Sequence, residues 1–188
     1  MNAYKLKSDY ENFYSFIIEN TGLFNKMPSF SAKFKAKPRL KDWVEPHGSF
    51  FQSENYRAKG VNIPDITTWL LGNLVLNENA YSLLHTHLLK LGEFLPVDSE
   101  GIKYYIFNAL NIIVDEAIDQ ENTKSIIESG INMGLESLQF IPEKTRDQLV
   151  FKTNADKLAA LYCTEKFNQL VTTNKLKGLS FETNLVSS

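Results

Sequence analysis

The sequence predicts an α+β fold, mostly antiparallel sheet with helices over residues 78–90 and 165–174 packed against it. Two observations carry that expectation: Leu74-Val75-Leu76 runs straight into Asn77 and a helical apolar stripe, and Ile102 to Leu110 is rich in β-branched and aromatic residues on both faces. A third is an echo, in which the first strand–helix–strand unit is repeated in weaker form near the end of the chain.

From the start, Ala3-Tyr-Lys-Leu6 reads as a first strand, whereas Tyr10 to Ile18 fits helix and strand equally well. Ser29 to Lys37 alternates: Phe30, Ala32, Phe34 and Ala36 take one face, and Ser31, Lys33, Lys35 and Lys37 take the other, the pattern of a half-buried strand with a basic outer face. A loop around Trp43, Pro46, His47 and Gly48 follows, and Ile63-Pro-Asp-Ile66 turns the chain into the strand at Leu74.

Asn77 is an N-cap, and Glu78 places a carboxylate in the first turn, where the helix dipole favours it. Tyr81, Leu84, Leu88 and Leu91 recur at spacings of three and four, so the helix covers a core until Gly92. Glu93 to Val97 contains Pro96, which cannot donate to a ladder and so suggests a sheet edge or a bulge. Asp98-Ser-Glu-Gly101 is turn material, making 93–110 a hairpin with Leu84 and Leu88 buried against it.

Downstream, Thr123 to Leu135 is expected as a helix interrupted by Gly130 and Gly134, and Leu138–Ile141 with Gln148–Lys152 as a second hairpin. Lys157 to Cys163 reads as a strand, Glu165 opens a helix with Phe167, Leu170 and Val171 on one face, and Leu179 to Phe181 closes the chain as a strand. Shifting Leu74–Phe94 by 87 onto Leu161–Phe181 gives seven identities in twenty-one positions, among them Leu74/Leu161, Glu78/Glu165 and Phe94/Phe181. That is the mark of a weak internal duplication, or of two independent units built alike.

At 188 residues with 43% hydrophobic side chains the chain suits a single domain, with 61–188 as its core part and 1–60 as an N-terminal part. No apolar run reaches the roughly 18 residues that span a bilayer, and the N-terminus lacks a basic-then-apolar leader, so the expected compartment is the cytoplasm. A net charge of −2 excludes a globally basic nucleic-acid binder. A single cysteine excludes an internal disulfide.

No phosphate loop, dinucleotide fingerprint, zinc-protease or nucleophile-elbow string occurs, so neither an enzyme nor a cofactor is expected. His85 and His87 would share a face on a strand, but on a helix they sit about 200° apart, which argues against a metal pair. Cys163, in an apolar run, reads as a structural thiol. Asp115 and Asp119 would share a face on a helix, and with Glu116 they could hold a cation; an acidic face turned to solvent or to a partner is the better reading. Two surfaces remain. The first joins Asp115, Glu116 and Asp119 to the hairpin aromatics Tyr104, Tyr105 and Phe107, an acidic rim around aromatic anchors suited to a basic protein partner. The second is the basic face of Lys33, Lys35 and Lys37, which an adaptor or regulatory module could use.

A family can be named on residues spread through the chain: Tyr4-Lys-Leu6, Pro64-Asp-Ile66, Gly92-Glu-Phe-Leu-Pro-Val97, Tyr104-Tyr105 through Asn108, Asp115 with Asp119 and Ser125, Val150-Phe-Lys152, and Leu161 to Phe181 with Lys177-Gly-Leu179. In their order and spacing the sequence resembles the bacterial immunity-protein family of polymorphic toxin systems, first registered as a domain of unknown function and typified by a myxobacterial protein. Residues 7–60 match it poorly apart from Trp43. The resemblance implies a non-catalytic cytoplasmic protein that binds and neutralises a cognate toxin.

Overall fold

The computed structural model describes residues 3–28, 33–52, 62–70 and 72–186. In chain order these residues form β1 (Ala3–Ser8), β2 (Ser15–Ile18), α1 (Asn20–Lys26), β3 (Gly48–Phe51), β4 (Ile66–Trp69), β5 (Asn73–Leu76), α2 (Glu78–Leu88), β6 (Gly92–Ser99) and β7 (Ile102–Ala109). Then follow β8 (Lys124–Glu128), β9 (Ile131–Ser137), α3 (Pro142–Thr145), β10 (Val150–Phe151), β11 (Tyr162–Thr164), α4 (Glu165–Thr173) and β12 (Leu179–Glu182). All strand pairs are antiparallel. Two four-stranded sheets, ordered β4-β5-β7-β6 and β10-β11-β1-β12, form the body, and β2-β3 and β8-β9 are two-stranded. The α+β class is as the sequence predicts.

The stretch from β5 to β7 folds as its local chemistry dictates. The Asn77 side chain accepts from the Ala80 amide at 2.8 Å, capping α2, whose Ala80, Leu84 and Leu88 are buried. The helix ends at Leu88, short of Gly92, which instead begins β6. Glu100 and Gly101, both at positive φ, turn β6 into β7. Of the edge and the bulge that Pro96 allows, β6 takes the edge, and it is not left bare: the Trp43 indole donates to the Pro96 carbonyl at 2.8 Å, and Glu93 Oε1 accepts from the Arg39 amide at 2.6 Å. β7 is central and buried on both faces. Phe107 and Ala109 pack with α2, while Tyr104 and Ile106 point to the other face, into a core with Phe16, Leu23, Phe34 and Trp69.

The two large sheets share one plan. Val75 in β5 and Leu95 in β6 both lie opposite Ile106 of β7; 87 residues further on, Tyr162 in β11 and Glu182 in β12 both lie opposite Lys5 of β1. The helix that links each flanking pair is α2 in one sheet and α4 in the other, and both bury their apolar stripe in a single core: Ala80 and Leu84 from α2, and Phe167 and Val171, again 87 residues on, from α4. The shift that aligned the two sequences is thus the shift that aligns the two registers, and the duplication is structural.

Several expectations fail. Residues 33–37 are not a strand: the Lys37 amide donates to the Phe34 carbonyl at 3.0 Å across a turn with Lys35 and Ala36 at positive φ, so the three lysines are exposed because Phe34 alone is anchored. Residues 29–32 lie outside the described residues. The expected helix at 123–135 is instead the β8-β9 hairpin, turned by Ser129 and Gly130 at positive φ. The proposed hairpin of 138–152 is absent, because Phe140 bridges to Ile118 and Val150–Phe151 pairs with β11. β11 itself begins only at Tyr162, after a 3₁₀ turn at Asn154–Asp156.

Candidate partner-binding surface

The alternation of β7 decides which of its aromatics a partner can reach. Tyr104 is 5% exposed and Phe107 fully buried, so neither is a surface anchor; both build cores. Tyr105 alone stays partly open. It stacks on Tyr81 of α2 with ring centroids 3.7 Å apart, the Lys103 ammonium lies 5.4 Å from its centroid, and burial raises its phenol above the ordinary value.

Past the end of β7 the chain makes a 3₁₀ turn over Asp115–Ala117. Ala117 and Ile118 plug into a third core with Phe140, Phe151 and Tyr162, which leaves Asp115, Glu116 and the adjoining Val114 turned outward. Asp115 and Asp119 therefore do not share a helical face. Asp119 opens a turn: its carboxylate accepts from the Asn122 side chain at 2.8 Å and from the Glu121 and Asn122 amides at 3.1 and 3.2 Å, and these bonds, the Asn122 side chain first, hold its carboxyl below the usual range.

That turn feeds the β8-β9 ribbon, which the sequence reading missed. The Asp119 amide donates to the Gln139 carbonyl at 2.9 Å and the Gln139 amide to the Thr123 hydroxyl at 3.1 Å, tying the acidic turn to the ribbon's base. Every residue of β8 is exposed. Ile127, Ile131 and Met133 are each about 60% exposed, and Ile126 is 41% exposed. A ribbon with both faces in solvent has no alternation for a sequence pattern to report; the available signal was Ser129-Gly130 between β-branched residues. Asp119, Glu121, Glu128 and Glu136 accompany the apolar side chains, with Lys124 among them.

The remaining candidates are dispersed. His85 rests between Tyr81 and Phe94, with centroids 4.8 and 5.2 Å away, and His87 is exposed elsewhere on α2. Cys163 is buried in the core shared by α2 and α4, where burial pushes its thiol well above the ordinary value and keeps it protonated. Among the described residues no three His, Cys, Asp or Glu side chains gather to hold a metal ion. No described helix is long and apolar enough to cross a membrane. Lys33, Lys35 and Lys37 form no strand face, which removes the support that the adaptor reading took from them.

The stretch from β6 to the end of the chain thus joins an acidic turn, an exposed apolar ribbon and the second sheet. Residues 95–185 match the Immunity protein family (Imm11). The match starts within β6 and takes in β7, the acidic turn, the ribbon and the whole β11-α4-β12 unit, and over these residues it bears out the resemblance to an immunity-protein family. A comparison with curated proteins finds no match. One short motif inside the matched stretch is tied to one outside it: the Asp65 carboxylate accepts from the Asn77 side chain at 2.9 Å and from the Lys177 amide at 3.0 Å, so Lys177-Gly-Leu179 is clamped to Pro64-Asp-Ile66.

Proposed function

We propose that this protein is an immunity protein that binds one cognate toxin in the cytoplasm and blocks it by occlusion, without catalysis. The observation that carries this reading is the family match over residues 95–185. The docking surface is the β8-β9 ribbon together with the acidic turn before it. Ile127, Ile131 and Met133 supply apolar contact area that no part of this chain covers among the described residues, and the surrounding carboxylates favour a basic toxin surface and speed its approach.

Co-expression with the toxin domain encoded beside it, scored for survival and for co-purification, tests the function. The protected cells should yield a one-to-one complex. Replacing Ile127 and Ile131 together by Asp should weaken the complex by at least about thirtyfold, the effect of losing one interface hot spot, and should leave the free protein's melting temperature nearly unchanged because both side chains are exposed. Asp115→Lys with Glu116→Lys should slow association and flatten its salt dependence. Cell death beside soluble folded protein defeats the immunity reading; a complex that ignores the ribbon variants defeats only the surface.

A further inference from the structure

On the side of the molecule where the 33–37 turn meets the chain after β10 there is a cleft of about 540 Å³. Its position follows from the fold. Gly72, just before β5, lets the backbone pass so close to the Ala159 carbonyl that a Cβ there would meet that oxygen at 2.7 Å and the Lys152 ammonium at 3.1 Å. The cleft is therefore kept open by a residue without a side chain, and Lys152 reaches into it from below.

Lys152 is the unusual group. Its side chain is 1% exposed, yet its ammonium makes no hydrogen bond within the described residues. The charge that acts on it is that of Asp156, whose carboxylate is already engaged by the Ala160 amide at 2.9 Å and the Tyr162 hydroxyl at 3.0 Å. In the lining of the same cleft the side-chain oxygen of Asn73 is buried and accepts from no group among the described residues. Native proteins rarely leave a largely buried cation and a buried acceptor without partners at one cleft, because burial strips polar groups of water that something else must then replace.

Around this floor the wall is basic. Lys33, Lys35 and Lys157 line the opening, so four lysines face one carboxylate. Phe34 and Leu158 supply apolar surface between them. Four residues of the lining, Lys35, Leu70, Lys157 and Leu158, hold positive φ without being glycine, a cost that concentrates where geometry serves a site.

We propose that this cleft binds a small oxyanion ligand, a phosphate- or carboxylate-bearing molecule whose anionic oxygens meet Lys152 and the rim lysines and whose hydroxyl or N–H donates to Asn73. The volume suits a small metabolite, and the apolar wall takes its carbon body or ring. The site stands apart from the toxin reading, since it draws on residues from 33 to 159 and uses neither the ribbon nor the acidic turn. Burial lowers the Lys152 ammonium to about 8, and an anion seated on it raises that value again.

The test uses the whole protein without toxin, in chloride buffer at pH 7 and constant ionic strength, titrated separately with inorganic phosphate, pyrophosphate, citrate and adenosine 5′-monophosphate. At least one probe should raise the melting temperature saturably and bind calorimetrically, Lys152→Met should weaken that binding by at least about tenfold, and the titration midpoint of the Lys152 side chain, followed by NMR, should move up in the complex. Phosphate probes alone succeeding identifies a phosphorylated ligand; citrate alone identifies a polycarboxylate. If Lys152→Met fails to fold, Lys33→Gln with Lys157→Gln replaces it, and a severalfold loss is expected because both are exposed rim charges. No saturable effect from any of the four probes, or binding indifferent to these variants, overturns the proposal.

Discussion

The two strand–helix–strand units are built alike and completed differently. Around β7 the first unit supplies its own central strand, delivered by a two-residue turn at Glu100-Gly101. Around β1 the second unit borrows its central strand from the opposite end of the chain, more than 150 residues away from β11. Local closure makes the first sheet fast to form and easy to read in a sequence; remote closure makes the second depend on the whole fold, because loop-closure entropy is lost before any contact compensates it. The helices carry the same contrast. α2 is capped by its own Asn77, whereas Thr164, at the matching position before α4, donates its hydroxyl at 2.6 Å to the Gln148 carbonyl and caps nothing.

The largest expected effect comes from removing the borrowed strand. A chain lacking residues 1–8 loses Leu6 from the shared core and leaves β11 and β12 with unpaired edges at the centre of their sheet. Cooperative unfolding should be lost or its midpoint should fall steeply, and amide exchange should show β11 and β12 unprotected while β5 and β7 keep the most protection that survives. Equal loss of protection in both sheets would mean that the units are not separable in the way their closure suggests.

A smaller effect separates the units at one pair of positions. Extending the β10-β11 register by one residue places Lys152 opposite Leu161, and Thr68 stands opposite Leu74 in the first sheet. Thr68 is satisfied: its hydroxyl shares a 2.7 Å hydrogen bond with Ser8. Lys152 is not, and burial lowers its ammonium from 10.5 to about 8. Between those two values the unfolded chain holds the proton and the folded chain does not, so the stability contributed at this position is present in full above 10.5 and falls as pH drops through 8. In a buffer free of phosphate and carboxylate, Lys152→Met should be more stable than the parent at pH 7 by up to about 3 kcal/mol and should lack the parent's gain between pH 8 and 10. A Lys152→Met protein with the parent's pH profile would show that the lysine is solvated after all.

What could be read in the sequence follows the same division. Residues 72–110 were legible because cap, stripe, proline and turn all act within a few positions of one another. The second unit's helix was legible too, but its sheet was not, since nothing in Val150-Phe-Lys152 announces pairing with β11 or the insertion of β1 beside it. The ribbon was misread because Ile126, Ile127, Ile131 and Leu135 fall at nearly helical spacings, and 33–37 was misread as part of a strand because one anchored phenylalanine between exposed lysines imitates alternation. Of the surface proposed for a partner, the sequence reading named acidic residues and passed over the exposed apolar ribbon, and it took Tyr104 and Phe107 for surface anchors when β7 is buried on both faces. The cleft at Lys152 was beyond a linear reading, because its parts come from 33–35, 70, 72–73 and 152–159 and meet only in the fold, where Gly72 admits the close approach of Ala159 and Lys152.

The finest test of the comparison lies at the two equivalent helix starts. Asn77→Ala removes the acceptor for the Ala80 amide and the 2.9 Å bond to Asp65, so it should cost about 1 to 2 kcal/mol and raise amide exchange in the first turn of α2. Thr164→Ala removes only the bond to the Gln148 carbonyl, so it should cost about 1 kcal/mol and leave the first turn of α4 exchanging as before. Comparable melting shifts with different exchange patterns would confirm that one residue position holds a helix in the first unit and a crossing strand in the second. If both variants fray their helices alike, Thr164 is a cap in solution, and the two units are closer copies than their hydrogen bonds indicate.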